Sequence, residues 1–184
     1  MNKSINFVLF LLIWPAAVFG AANNQFLPMW LILVTMFVTV VISNKPTWVD
    51  IVLFFSTLIY GYCFESLGTH LGWIEFNVIE FNGRQQTNGF PPHWILALWG
   101  GLGLTFRHSN AWLFEKDYKW LIVWLACVPM TYFSAAQLGV IKIESFLYMY
   151  VSVFMGWSAY FFLVRYTINH PVVLMTYQAG QKRV

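Results

Sequence analysis

The chain has 184 residues, of which 59% are hydrophobic, 20% aromatic and only 9% charged, with a mean hydropathy of +0.63. A water-soluble domain carries about 25% charged residues, so this composition excludes one and predicts an integral membrane protein. The formal net charge is +3, and its distribution reads as a topology signal rather than as a nucleic-acid-binding surface.

Six apolar runs are long enough to be read as spans. The first covers residues 5–22 and is interrupted by Pro15; the small-residue stretch and lone Lys3 before it resemble a secretory signal, but Asn23-Asn24 leads almost at once into another run. The pair therefore reads as a helical hairpin. The second run covers residues 26–43 and stops at Asn44-Lys45-Pro46. The third covers 48–67. The fourth starts near Pro92 and reaches Arg107, or Ala111 if Arg107 and His108 snorkel. The fifth covers 120–138 with Pro129 as a predicted kink, and the sixth covers 144–165. A hydrocarbon core of about 30 Å needs about 20 apolar residues in a helix. The predicted fold is an all-α polytopic transmembrane bundle of six spans, one domain over residues 1–166 with a C-terminal tail at 167–184.

With the N-terminus placed inside, Lys3, Lys45, Arg107, Lys116, Lys119, Arg165, Lys182 and Arg183 fall on the cytoplasmic side and only Arg84 and Lys142 outside. That bias predicts both termini in the cytoplasm. The outer loop 72–91 partly alternates apolar and polar residues and contains Asn82-Gly83, a hairpin-type turn signal. Its apolar side chains predict that it lies on the bundle or the headgroups. Cys63 and Cys127 fall inside apolar runs without metal or disulfide spacing, and read as small core residues.

Glu65 is the residue that hydrophobicity does not explain. An ionisable group within a span is costly, and the last turns of a helix disfavour an anion, whereas Asp50 opens the same run where the helix dipole favours it. Thr57, Gly61, Gly68 and Gly72 share its face at helical spacing, and small residues mark the side that packs on other helices. Glu65 is therefore predicted to point into protein, either as a functional carboxyl or as a structural hydrogen-bonding group. Ser145, Ser152 and Gly156 mark a similar small-residue stripe on the sixth run.

Glu65, Thr69, His70, Glu75, Glu80 and His93 all map to the outer ends of the third and fourth runs or to their loop. A carboxyl beside an imidazole is a general acid–base arrangement. Glu65, His70 and His93 are the catalytic candidates, and Trp73, Trp94, Thr69 and Tyr62 the candidates for the substrate wall. Glu75 and Glu80 read instead as a solvated loop face. No ligand spacing supports a metal, and no cofactor motif is present. At the inner ends, Arg107 and His108 form a second candidate site, either for an anionic headgroup or as a helix end.

Three stretches resemble an uncharacterised family of small bacterial inner-membrane proteins, a domain of unknown function: Pro-x-Trp-Ile-x-x-Leu-Trp from Pro92 to Trp99, Leu-Thr-x-x-x-Ser-x-x-Trp-Leu from Leu104 to Leu113, and Asn-Phe-x-x-Phe-x-x-x-Trp from Asn6 to Trp14. Arg107 stands where the pattern has a smaller polar residue. The Glu-x-x-Gly-x-x-x-Gly stretch from Glu65 to Gly72 is similar to one in membrane carotenoid hydratases and cyclase-like proteins. That likeness implies protonation of an isoprenoid double bond. Taken together, these readings lead to the expectation of an intramembrane acid–base enzyme acting on a membrane lipid or isoprenoid. The alternatives are a non-catalytic membrane subunit with a protein or lipid partner and, third, a small transporter; no nucleic-acid partner is expected.

Overall fold

The computed structural model describes residues 3–43, 47–80, 83–86, 89–115 and 117–168. The chain is predominantly helical: α1 (Lys3–Asn23), α2 (Leu27–Ser43), α3 (Thr47–His70), α4 (His93–Gly103), α5 (Trp112–Glu115), α6 (Tyr118–Gln137) and α7 (Phe146–Ile168). Four of these, α1, α3, α6 and α7, are long and apolar enough to cross a membrane, and α2 is a shorter apolar helix, which is compatible with a multi-pass membrane protein. The outward helix faces are rich in exposed Leu, Ile, Val and Phe, as surfaces solvated by lipid require.

Three helix ends are closed by left-handed residues. Gly72 (φ 72°) follows α3, where Trp73 N–H reaches Gly68 C=O at 3.2 Å and Gly72 N–H reaches Thr69 C=O at 3.2 Å. Gly139 (φ 73°) repeats the arrangement after α6, with Val140 N–H to Ala135 C=O at 3.3 Å and Gly139 N–H to Ala136 C=O at 2.9 Å. These are Schellman closures, which favour glycine because it carries no Cβ penalty. Asn24 (φ 55°) turns α1 into α2, with Gln25 N–H on Gly20 C=O at 2.9 Å. Gly72 thus ends the third helix and does not extend its packing face, a correction to the sequence reading.

The outer loop is a hairpin of β1 (Glu75–Glu80) and β2 (Gly83–Gln86), with Glu80 opposite Gly83. Residues 81–82, including Asn82 of the turn signal, lie outside the described residues. β3 (Ile141–Lys142), which the sequence did not reveal, pairs antiparallel with β1, so the strand order is β2-β1-β3. Lys142 bonds Glu144 and lies 3.5 Å from Glu75. The hydrogen bond to Glu144, together with the negative charges of Glu144 and Glu75, raises the Lys142 ammonium above its usual range. Trp73, Ile74 and Phe76 are buried beneath the hairpin, so the loop does lie on the bundle.

The centre of the bundle is α4. Trp94, Ile95, Ala97, Trp99 and all residues from Gly100 to Gly103 are buried. Glycine permits this close approach. A Cβ at Gly100 would meet Phe54 at 2.9 Å, one at Gly103 would meet Thr57 and Leu53 of α3, and one at Gly101 would meet Ile13 of α1 at 3.1 Å. The helix has only 11 residues, about 16 Å of rise against a core of about 30 Å. The sequence reading carried this run to Arg107 or beyond. The structure ends it at Gly103 and continues through buried turns over residues 104–111. Turn hydrogen bonds satisfy that backbone, among them Thr105 N–H to Leu102 C=O (2.9 Å) and Asn110 N–H to Thr105 C=O (3.0 Å). Irregular backbone at membrane depth is tolerated where protein buries it.

Two further expectations need correction. Cys63 and Cys127 are exposed, not in the core; a lipid-facing helix surface is as apolar as a buried one, so an apolar run does not tell which way a thiol points. Ser145 is exposed at the start of α7 and accepts the Tyr148 N–H at 3.5 Å instead of packing. Gly156, on the same stripe, does face α3.

Candidate functional site

Glu65 is completely buried. It lies on α3 one turn beyond Gly61, where a Cβ would stand 2.3 Å from the Trp99 ring. The glycine therefore lets α4 come close enough for its indole to reach the carboxyl. Trp99 Nε1–H donates to Glu65 Oε1 at 2.8 Å, and the Tyr132 hydroxyl of α6 donates to the same oxygen at 2.5 Å. Trp157 Nε1–H of α7 in turn donates to the Tyr132 oxygen at 3.3 Å. One carboxyl oxygen thus gathers side chains from four helices. Glu65 Oε2 is buried and has no hydrogen-bond partner among the described residues.

Aromatic rings pack around this network. Trp99 and Trp157 lie 4.4 Å apart, Tyr60 stacks on Tyr160 at 4.4 Å, and Phe64 sits between Trp73 and Trp99. Tyr160 is fixed by Thr57 at 2.6 Å, which explains why α3 carries a small polar residue one turn below Gly61.

On the far side of Trp99 and Tyr132 from Glu65 is a partly open cavity of about 370 Å³. Its inner walls are Trp94, Trp99, Tyr132 and Trp157, and its outer walls come from α1 and α6. Its volume falls within the usual 300–1,000 Å³ of small-molecule sites. Glu65 does not line it; the carboxyl communicates with it only through Tyr132 and Trp99.

The remaining sequence candidates are dispersed. His70 is exposed, its Nδ1 lies 2.7 Å from the Ser66 carbonyl, and its ring meets Phe90. His93 lies on the α2 side, with Phe26 edge-on at 4.3 Å and Trp30 stacked at 5.8 Å. Neither imidazole hydrogen-bonds Glu65; Trp99 and Tyr132 take the places expected of them. Thr69 ties the helix end to Gly89 C=O at 2.7 Å. Tyr62 is exposed and stacks on Phe90, and Trp73 packs on Gly68. Of the proposed wall residues, only Trp94 lines the cavity.

At the inner end, Arg107 Nη1 meets Asp50 Oδ2 at 3.0 Å, and His108 Nε2 meets Asp50 Oδ1 at 3.2 Å. Asn6 of α1 joins the same turns. Its Nδ2 donates to Leu104 C=O (3.2 Å), and its Oδ1 accepts from Ser109 Oγ (2.6 Å). Asn110 Nδ2 donates to Thr105 Oγ1 at 2.8 Å. Asp50 is the partner that sequence reading did not assign to Arg107 and His108, and Asn6 holds the turns on either side of them.

A largely buried α4 with glycines on two faces, a short outer sheet and a buried carboxyl linking four helices define a helical bundle with an internal aromatic site. The chain belongs to the family described as "Protein of unknown function (DUF2878)", whose model matches residues 3–163. The resembling stretches noted in the sequence meet in space: Trp99 reaches Glu65, and Asn6 reaches Leu104 and Ser109. No curated protein and no solved structure matches the chain.

Proposed function

We propose that this protein is a bacterial inner-membrane enzyme that performs acid–base chemistry on an apolar lipid or isoprenoid held in the aromatic cavity. The observation that supports the reading is the hydrogen bond from Tyr132, a cavity-lining residue, to the buried Glu65 carboxyl. Donation runs from Trp157 to Tyr132 to Glu65. A proton arriving from a substrate at the Tyr132 oxygen is matched by the Tyr132 proton passing to Glu65. The reverse transfer returns a proton to the substrate. With Glu65 protonated, the Tyr132 proton passes to one carbon of a double bond while the Glu65 proton replaces it. The relay then takes a proton from the carbon on the far side of the resulting cation, so the count balances and the double bond moves by one position. The cationic species between these steps is stabilised by the faces of Trp94, Trp99 and Trp157 through cation–π attraction. Tyr132 takes the place beside Glu65 that the sequence assigns to the imidazole of His70 or His93.

Lipid extracts from cells with and without the protein, compared by mass spectrometry, test this. Glu65→Gln keeps the size of the side chain and a hydrogen-bonding oxygen but cannot cycle a proton. The expected result is normal membrane level and loss of the lipid change, with Glu80→Gln as a control that retains it. Identical profiles from wild-type and Glu65→Gln strains would overturn the enzyme reading. A non-catalytic subunit is the second reading, favoured by the fact that Glu65 is walled off from the cavity and pins four helices. It predicts unchanged lipids and loss only of a co-purifying partner.

In this reading the chain crosses the membrane six times with both termini in the cytoplasm, and the fourth crossing is α4 followed by its buried turns. Single cysteines at Asn24, Gln85 and Gln181, in a background lacking Cys63 and Cys127, report the topology with a membrane-impermeant thiol reagent. Labelling at Asn24 and Gln85 but not Gln181 is expected in intact cells; the opposite pattern would reverse the orientation.

A further inference from the structure

The cavity has a direction. Its lining runs from exposed to fully buried residues. Leu11 of α1 is 54% exposed, and Cys127 and Thr131 of α6 are also exposed. Trp94, Trp99 and Tyr132, at the other end, retain 4% exposure or less. The mouth is therefore the gap between α1 and α6, and the closed end is the aromatic wall in front of Glu65. Leu11 and Cys127 each fall close to the midpoint of a helix long enough to span, α1 (Lys3–Asn23) and α6 (Tyr118–Gln137). A mouth at that height opens onto hydrocarbon, not onto water.

Among the described residues, the lining contains no Asp, Glu, Lys, Arg or His. A charged group drawn into such a space would lose its hydration without a counter-charge, which disfavours its entry. The polar atoms available at the closed end are the Tyr132 oxygen and the Trp94 indole N–H, which has no hydrogen-bond partner among the described residues; they suit an uncharged oxygen or a double bond. The volume of about 370 Å³ accommodates one chain rather than the two of a phospholipid.

We propose that the cavity is loaded sideways from the bilayer core, between α1 and α6, by an uncharged single-chain lipid whose functional end leads inward to Tyr132 while its tail stays in the mouth. This rests on reading the Glu65–Tyr132 site as the place of chemistry, and it adds the substrate class and the route.

Photocrosslinking of the full-length protein in lipid nanodiscs tests it without requiring turnover. The probe is a diazirine-bearing long-chain alcohol, with the phosphate ester of the same alcohol and a diazirine-bearing phosphatidylcholine as charged and two-chain comparisons. The expected adducts of the alcohol lie on the peptides carrying Phe10–Trp14 and Trp124–Tyr132, and unlabelled alcohol competes them away while its phosphate ester does not. Cys127→Trp or Leu11→Trp, each filling the mouth from one side, should abolish these adducts. Cys63→Trp, on a lipid-facing surface outside the cavity, should leave them intact. Equal cavity labelling by the phosphate ester or the phosphatidylcholine would overturn the substrate class. Undiminished labelling in both mouth variants would overturn the route. Glu65→Gln should still take up the alcohol: retained labelling with unchanged cellular lipids would remove the enzyme reading alone, whereas absent cavity labelling with a Glu65-dependent lipid change would remove this inference alone.

Discussion

Asp50→Ala is expected to be among the most destabilising single substitutions in this protein. Asp50 accepts from Arg107 at 3.0 Å and from His108 at 3.2 Å, and its side chain is 2% exposed against 15% for that of Arg107. Removing one partner of a buried ion pair costs about 3–5 kcal/mol, because the remaining charge loses its compensation. The residual exposure of Arg107 places this case near the lower end, at about 3 kcal/mol. The damage should be local to the segment that replaces the missing part of α4. The turns over residues 104–111 are held by Asp50 from α3 and Asn6 from α1, cross-links that tie non-helical backbone to two neighbouring helices. Asp50→Asn keeps an acceptor and the shape, and should cost less. Thermal unfolding in detergent, alongside protease sensitivity between Gly103 and Trp112, measures both effects. A melting temperature for Asp50→Ala equal to that of the wild type would show that the ion pair is not what holds the turns.

Gly156→Leu is expected to show the largest packing defect. A Cβ at Gly156 would stand 2.0 Å from the Phe64 ring, and the Gly156 carbonyl accepts from Tyr60 at 2.6 Å. Phe64 cannot swing aside freely, because it stacks with Tyr60 and packs on Trp73 and Trp99. Overpacking of this kind costs about 1–3 kcal/mol, and here the strain falls on the rings around Glu65. The variant should therefore lose thermal stability in detergent and also change its intrinsic tryptophan fluorescence, since Trp99 and Trp157 sit within the displaced layer. Ser145→Leu, at an exposed site on the same sequence stripe, should leave both nearly unchanged. Equal stabilities for Gly156→Leu and wild type would mean that α7 stands farther from α3 than the structure places it.

Much of the architecture could be read without coordinates. The left-handed turns at Asn24 and Gly139 fall where the first and fifth runs are read to end, and β1 and β2 form a hairpin in the predicted loop. The burial of Glu65 was also legible, because a carboxyl among small residues at helical spacing has few other places to point. Its partners were not. Trp99 is 34 residues away and Tyr132 is 67, and nothing in the local pattern of α6 distinguishes Tyr132 from the other aromatics around it. The outer-end imidazoles were nearer in sequence, but His70 turns to its own helix and His93 to the α2 side.

What the sequence determined by itself is the apolar character, helices long and apolar enough to cross a membrane, and the presence of a buried carboxyl. Each depends on hydropathy or helical spacing summed over a single segment, and such sums need no knowledge of neighbours. Tertiary structure decided the rest: which face of each helix meets lipid, where α4 ends, and what Glu65 touches. Lipid and protein interior are alike apolar, so an apolar run does not announce its inward side, as the exposed Cys63 and Cys127 show. α4 stops at Gly103 because Asp50 and Asn6, brought from two other helices, hold the following turns. Their hydrogen bonds exist only once α1 and α3 have packed against the segment.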